Sequence, residues 1–352
     1  PLTLAYAPGS GLVQLRHSVD PELMFREYWY NSGTNEAMRE HLREVVMKTN
    51  GVYATLKAGD TVIDIGCNDG TLLSCYSSGI SKIGYDPARN IKPKHCDVFV
   101  NDFFGNDVVY HHPKAKIITS IAMFYDVEAP VEFAKQVRDA LTDDGVWVLE
   151  MHYLPNMLDR NEVDAICHEH ICYYSLRSLE YVLRRAGFNV VDVEFNDVNG
   201  GSMLVWAKKD NAPDQASSNV LEARLQESKH DLLESLLGFA KRVETNKVTL
   251  RNLLETLSGK MVIGYGASTK GNTLLQYCEI GPELLPAIAD RNAAKIGRVT
   301  VGSRIPIISE EEMRDKGPDY LLALPYHFLD NFKKREPWAK WITPVPTPRA
   351  VA

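Results

Sequence analysis

The chain has no CxxC pair: its six cysteines, at positions 67, 75, 96, 167, 172 and 278, form no disulfide-like framework. That excludes a small disulfide scaffold and argues against a thiol redox motif, so reduced, mostly buried thiols are expected. There is no run of about 18 apolar residues, hence no expected membrane span, and no charged-then-apolar leader at the start. A cytoplasmic protein is expected. A net charge of −7 with no long basic run removes the electrostatic footprint of a nucleic-acid binder. The glycine fingerprint GxGxxG, the Walker A loop, internal repeats and low-complexity segments are absent as well. What remains is 352 residues, 45% hydrophobic and 24% charged, enough for two or more cores.

Residues 1–15 read as a strand, a Pro8-Gly9 turn and a second strand, a hairpin by its alternation. An aromatic cluster at Phe25, Tyr28, Trp29 and Tyr30 precedes a polar helix over about 35–49. Such aromatics pack against each other, or Tyr28 or Tyr30 reaches a substrate from a lid.

Strand and helix then alternate, which argues for a parallel sheet with crossover helices. An apolar strand over 61–65 ends in a glycine turn, Gly66-Cys67-Asn68-Asp69-Gly70, expected to enter a helix at Gly70 or Thr71. Free backbone N–H groups and close access result at the strand's carboxyl end. Asp64 and Asp69 add negative charge there, suiting a cationic ligand better than a diphosphate. The strand 82–85 ends at Asp86, roughly 20 residues past the turn, where an acid can accept two hydrogen bonds from a ribose diol. The strand 98–100 ends at Asp102, suited to an adenine rim, and 117–121 carries Ser120 and leads into Met123. A helix over 130–141, a turn at 143–145, a strand over 146–150, a helix ending near 186 and strands over 188–194 and 202–207 complete the pattern. The turn before the last strand, Asn199-Gly200-Gly201-Ser202, either exposes backbone to a ligand or is a plain hairpin turn.

The densest chemistry is Cys167-His168-Glu169-His170-Ile171-Cys172-Tyr173-Tyr174, expected on a loop leading into a helix near Ser175. The histidines are two apart rather than four, and no ligand pair follows to complete a zinc site, so no metal is expected. A histidine beside a glutamate can be tuned to take a proton near neutral pH; a merely structural histidine loop is the plainer alternative.

Residues 208–218 read as a linker, followed by one or two amphipathic helices up to 257. A second βαβ pattern carries Gly264-x-Gly266-Ala267-Ser268-x-Lys270-Gly271-Asn272, a turn of glycines, hydroxyls and one lysine suited to phosphate, or a helix N-terminus without a ligand. Strands over 287–289 and 319–324 follow, the latter running into Tyr326. The expected division is an N-terminal hairpin and helical lid over 1–50, a first α/β domain over 51–210, a helical linker over 211–257 and a smaller domain over 258–352.

Asp64-x-Gly66, Asp86 and Asp102, at consecutive strand ends, resemble the stations of class I S-adenosylmethionine-dependent methyltransferases. With the 167–174 loop, the 199–202 turn and the 264–272 turn in this order, the chain resembles, over nearly its whole length, the sugar C-methyltransferases that act on nucleotide-linked 4-keto-6-deoxyhexoses. The resemblance implies an α/β chain: a class I Rossmann-like domain with a smaller C-terminal Rossmann-like domain that helps to hold the nucleotide sugar, in a monomer or dimer. It implies methylation at the carbon beside the ketone, typically C3, with His170 as base, Glu169 tuning it, and His168, Tyr28 or Tyr30 donating to the keto oxygen. S-adenosylmethionine would lie along Asp64, Gly66, Asn68, Asp69, Gly70, Asp86, Asp102, Ser120 and Met123. The sugar nucleotide would meet Asn199, Gly200, Ser202, Gly266, Ser268, Lys270, Asn272 and Tyr326. Two departures stand out. Ala7 and Ser10 occupy the family's zinc CxxC positions, so the zinc module is expected to be lost or to lie outside this sequence, and Cys167 stands where some relatives have tyrosine. An O- or N-methyltransferase, a non-catalytic binder of either ligand, and a dehydrogenase suggested by Gly264-x-Gly266 are the competing readings.

Overall fold

The computed structural model describes residues 2–105, 112–210 and 216–351; residues 211–215 of the expected linker lie outside them. The chain divides into two compact units, residues 1–154 with 168–230 and residues 155–167 with 231–352.

In the first unit, β1 (Leu4–Ala7) and β2 (Leu12–Leu15) form the N-terminal hairpin. The main sheet begins with β3 (Thr61–Ile65), β4 (Ser81–Tyr85), β5 (Val98–Val100), β6 (Ala115–Ile121) and β7 (Leu141–His152), all parallel. The short β8 (Cys172–Tyr173) joins β2, placing the end of the 167–174 loop on the hairpin. The sheet is completed by β9 (Phe188–Asn196) and β10 (Ser202–Lys209) in the order β5-β4-β3-β6-β7-β10-β9, with β10 antiparallel to both neighbours. The chain runs outward from β3 through β4 to β5 and then crosses back to β6 on the other side of β3, and this reversal opens a crevice at the carboxyl ends of β3 and β6.

All five residues of β3 are buried because both faces of the sheet are covered. The helix Glu36–Lys48 packs Leu42, Val45 and Val46 against Val62, Val148 and Trp206 on one face. The helices Pro130–Ala140 and Leu176–Arg185 meet Ile63, Trp147 and Leu149 on the other.

Two local expectations fail. No α-helix follows Gly70; only a single 3₁₀ turn forms at Leu73–Cys75. The residues there spend their hydrogen bonds on side chains: Thr71 donates to Asp69 at 2.6 Å and Ser74 to the Thr71 carbonyl at 2.6 Å, competing with a helical ladder. The turn at 143–145 does not separate the helix from a strand starting at 146 but is carried inside β7 as a bulge, since Ala115 pairs with Leu141 and Ile117 already with Val146.

The second unit holds β11 (Val262–Tyr265), β12 (Ile288–Ala289), β13 (Ile307–Ile308), β14 (Tyr320–Ala323), β15 (Trp341–Thr343) and β16 (Arg349–Val351) in the order β13-β12-β11-β14-β15-β16. All pairings are parallel except β15 with β16. Ile263, Tyr265, Leu321, Phe332 and Trp341 form its core. The chain thus holds a class I Rossmann-like domain and a smaller Rossmann-like domain.

Candidate active site

The turn after β3 is built on backbone geometry that glycine supplies. Gly66 and Gly70 have φ of +76° and +80°, and a Cβ on Gly70 would lie 1.9 Å from the Lys94 carbonyl oxygen. Asn68, also at positive φ, donates its backbone N–H to Asp86 Oδ2 at 2.9 Å, while Asp86 Oδ1 accepts from Ala88 N at 2.9 Å. Burial raises the Asp86 pKa, opposed by these two backbone bonds. Asp64 stands under the turn: it is buried, accepts the Thr119 hydroxyl at 2.5 Å, and is pushed up to about 7, chiefly by burial. Ser120 is fully buried and its hydroxyl accepts from Trp147 Nε1 at 3.1 Å, whereas Met123 packs against Gly66.

The segment containing Tyr28 and Tyr30 lies on these strand ends. Asp69 Oδ2 accepts from Gly33 N at 2.8 Å, and Asp102 pairs with the Arg26 guanidinium at 2.9 Å. Tyr28 is half-buried and packs near Phe25, and the Tyr30 phenol is raised by burial and then by the charge of Asp69.

At the end of β6, Tyr125 and His170 stack edge to face with ring centres 4.5 Å apart. The Asp126 pKa is raised well above the ordinary carboxyl range, chiefly by desolvation of its half-buried carboxyl and then by the like charge of Glu169; its Oδ1 is buried with no hydrogen-bond partner among the described residues. Burial raises Glu169 too, while His168 is exposed. The fold therefore brings His170, Glu169, Tyr125 and Asp126 together, and the last two were not singled out from sequence. They follow a strand whose carboxyl end faces the crevice, the signal that marks them. A second group missed by sequence is His41, which reaches Glu150 Oε2 at 2.8 Å from the helix Glu36–Lys48. Glu150 also accepts from Asn196 at 2.7 Å, and Asn196 Oδ1 accepts from Val198 N at 2.9 Å at the head of the turn bearing Asn199 and Gly200. Burial alone would lower the His41 pKa, but the bond to Glu150 and its charge overcome that and raise it. Ser202 is buried and donates to the Val198 carbonyl at 2.9 Å, closing the turn from within.

In the second unit, Gly266 has φ +86° and lies so close to Pro325 that a Cβ would fall 2.6 Å from its ring. Ser268 caps the helix Thr269–Tyr277, its hydroxyl accepting from Gly271 N at 3.0 Å, and the Ala267 N–H goes to Asp290 at 2.8 Å. Lys270 and Asn272, both half-buried, sit in the first turn of that helix. Beneath it, Tyr326 donates to Asp164 Oδ1 at 3.1 Å. Burial pushes Glu162 up to about 7 and Asp164 up to about 6, in both cases opposed by the charge of Lys270.

With this geometry in place, the comparisons decide the family. The chain is 32% identical over 372 aligned residues to the C-methyltransferase NovU of Streptomyces niveus, covering all of this chain and 88% of that protein. It belongs to the C-methyltransferase family. Residues 35–193 match the model of a methyltransferase domain and residues 197–346 that of the C-methyltransferase C-terminal domain. Among solved structures, a methyltransferase bound to its Trm112 activator from Haloferax volcanii is 15% identical, covering 50% of this chain and 94% of that one at a TM-score of 0.40. The magnesium protoporphyrin IX methyltransferase of Synechocystis PCC 6803 is 12% identical, covering 55% and 99% at 0.39. The C-methyltransferase described here uses S-adenosylmethionine, and no helix among the described residues is long and apolar enough to cross a membrane.

Proposed function

We propose that this C-methyltransferase methylates a nucleotide-linked 4-keto-6-deoxy sugar, at C3, through an enolate. The observation that carries the proposal is the convergence of His170 on Tyr125 with the carboxyls of Glu169 and Asp126 at the end of β6. A hydrogen beside a ketone is too weakly acidic for imidazole alone, so its removal requires both a placed base and donors for the oxygen where charge develops. His170 is assigned as the base. Burial and the charge of Glu169 raise the Asp126 pKa, which limits negative charge beside Glu169, and Glu169 is assigned to orient the ring and steady the imidazolium after it takes the proton. Tyr28, Tyr30 and His168 are assigned as donors to the keto oxygen.

The positive-φ turn at Gly66–Gly70 fits a ligand that approaches the backbone, and Asp86 retains lone pairs for a diol beyond its two backbone bonds. Gly66, Gly70, Asp86, Asp69, Asp102 and Met123 would hold S-adenosylmethionine, with Asp64 and Ser120 supporting the turn from below. When bound, the cofactor supplies an electrophilic methyl group on a sulfonium. Methyl transfer is assigned to the domain over 51–210. The domain over 258–352 is assigned the nucleotide through Gly266, Ser268, Lys270, Asn272 and Tyr326, while the turn Asn199, Gly200 and Ser202 is assigned the sugar.

The test is mass spectrometry of nucleotide 4-keto-6-deoxy sugars incubated in heavy water with wild type and His170→Ala. Deuterium is expected beside the ketone without cofactor and a methyl group with it, both lost in the variant. If no sugar gains either label while S-adenosylmethionine still binds, the sugar and the enolate are both wrong.

A further inference from the structure

Residues 26–33 cross the ends of three successive strands, and side chains hold them there by their backbone. After β4, the Asn90 amide clasps Tyr28 from both sides: Oδ1 accepts from Tyr28 N at 2.9 Å and Nδ2 donates to Tyr28 O at 2.7 Å. After β3, the Asn68 amide does the same one turn along, accepting from Ser32 N at 3.0 Å and donating to Tyr30 O at 3.0 Å. Each amide thus replaces the two hydrogen bonds that a neighbouring strand would make. The strap is closed at one end by Arg26, whose carbonyl accepts from Arg89 N at 2.8 Å and whose guanidinium meets Asp102 after β5. It is closed at the other by Gly33, where the absence of a Cβ lets Asp69 and Thr71 approach.

We infer that Asn90 and Asn68 are positioning residues for methyl transfer: a paired amide clasp that holds the 26–33 strap over the cofactor edge and slows departure of S-adenosylmethionine. Two observations favour a latch over fixed packing. Trp29 and Tyr30 are 64% and 44% exposed and no residue of the strap is fully buried, so polar bonds carry a large share of its attachment, the condition for local opening without global unfolding. And both polar groups of the Asn68 side chain are spent on the strap, which makes its role there a mechanical one. The retaining function rests on the placement of the cofactor along Gly66–Gly70 and Asp86 proposed above.

The test uses the full chain. Asn90 is exposed, so Asn90→Ala should keep the fold and lower the thermal midpoint by only a few degrees. Losing two bonds of about 1 kcal/mol each, partly regained from water, should speed amide exchange in residues 28–33 and dissociation of S-adenosylmethionine by roughly tenfold and raise KM for the cofactor, with kcat falling as well because Tyr28 and Tyr30, the assigned donors to the keto oxygen, ride on the strap. Asn90→Asp, which keeps the acceptor for Tyr28 N and loses the donor, should fall between. Unchanged exchange and dissociation in Asn90→Ala would overturn the clasp. If S-adenosylmethionine protects neither 64–70 nor 85–90 in wild type, the cofactor placement falls, and with it the retaining role, even where the variant loosens the strap.

Discussion

Gly70 shows how one missing side chain decides the turn after β3. Its φ of +80° would strain any other residue by about 1 to 2 kcal/mol, and a Cβ there would meet the Lys94 carbonyl at 1.9 Å. Gly59 has a comparable φ of +92° with nothing within 4 Å of the added Cβ. Gly59→Ala should therefore cost about 1 kcal/mol and Gly70→Ala at least about 3 kcal/mol, because backbone must move as well. Urea unfolding of the two variants checks this; equal losses would mean that the turn yields to the carbonyl contact. The glycine was legible in the sequence but the obstacle was not, since Lys94 lies in a connection with no pattern of its own. For the same reason Asp64 read as a ligand and proved to be bonded to Thr119: an acid at a strand end looks alike in sequence whether it faces the crevice or the sheet interior.

At the scale of elements, the 3₁₀ turn Val163–Ala165 packs under the helix Thr269–Tyr277 and brings two buried carboxyls toward Lys270. Glu162 and Asp164 have folded-state pKa values of about 7 and about 6, above their ordinary values of 4.5 and 3.8. A raised pKa means that the folded state holds the proton more tightly. The stabilisation is complete below about pH 4, where the unfolded carboxyls are protonated too, and is lost as pH rises through 6 to 7. The second unit should therefore weaken between about pH 4 and pH 7, by at most about 3 kcal/mol for each carboxyl, and Asp164→Asn should flatten that fall. Thermal unfolding across this range checks it; a slope that Asp164→Asn leaves unchanged would show that these carboxyls do not govern it. The elements themselves were largely readable: β3, β6 and β14 are apolar runs buried on both faces, and Ser175 and Ser268 cap the helices that follow them. The helix expected after Gly70 was misread because Thr71 and Ser74 satisfy local groups through their side chains, a choice that apolar periodicity does not register.

At the scale of the whole molecule, the chain divides into two compact units with separate cores, and a ligand of one unit need not stabilise the other. S-adenosylmethionine at about a hundred times its Kd should add about 2.7 kcal/mol to the first unit. Calorimetry should show that increment on the transition shifted by Gly70→Ala and not on the one shifted by Asp164→Asn; a single transition moved by all three would mean that the units unfold together. The sequence by itself determined the order of elements, the positive-φ glycines, the acids at successive strand ends and the His168-Glu169-His170 loop, because each depends on residues near one another in the chain. Only the tertiary structure decided that Asp126 stands against Glu169, that His41 holds Glu150 and that Asn90 clasps Tyr28. These partners are 43, 109 and 62 residues apart, and nothing in local pattern or propensity records which distant loops a parallel sheet will carry to the same edge.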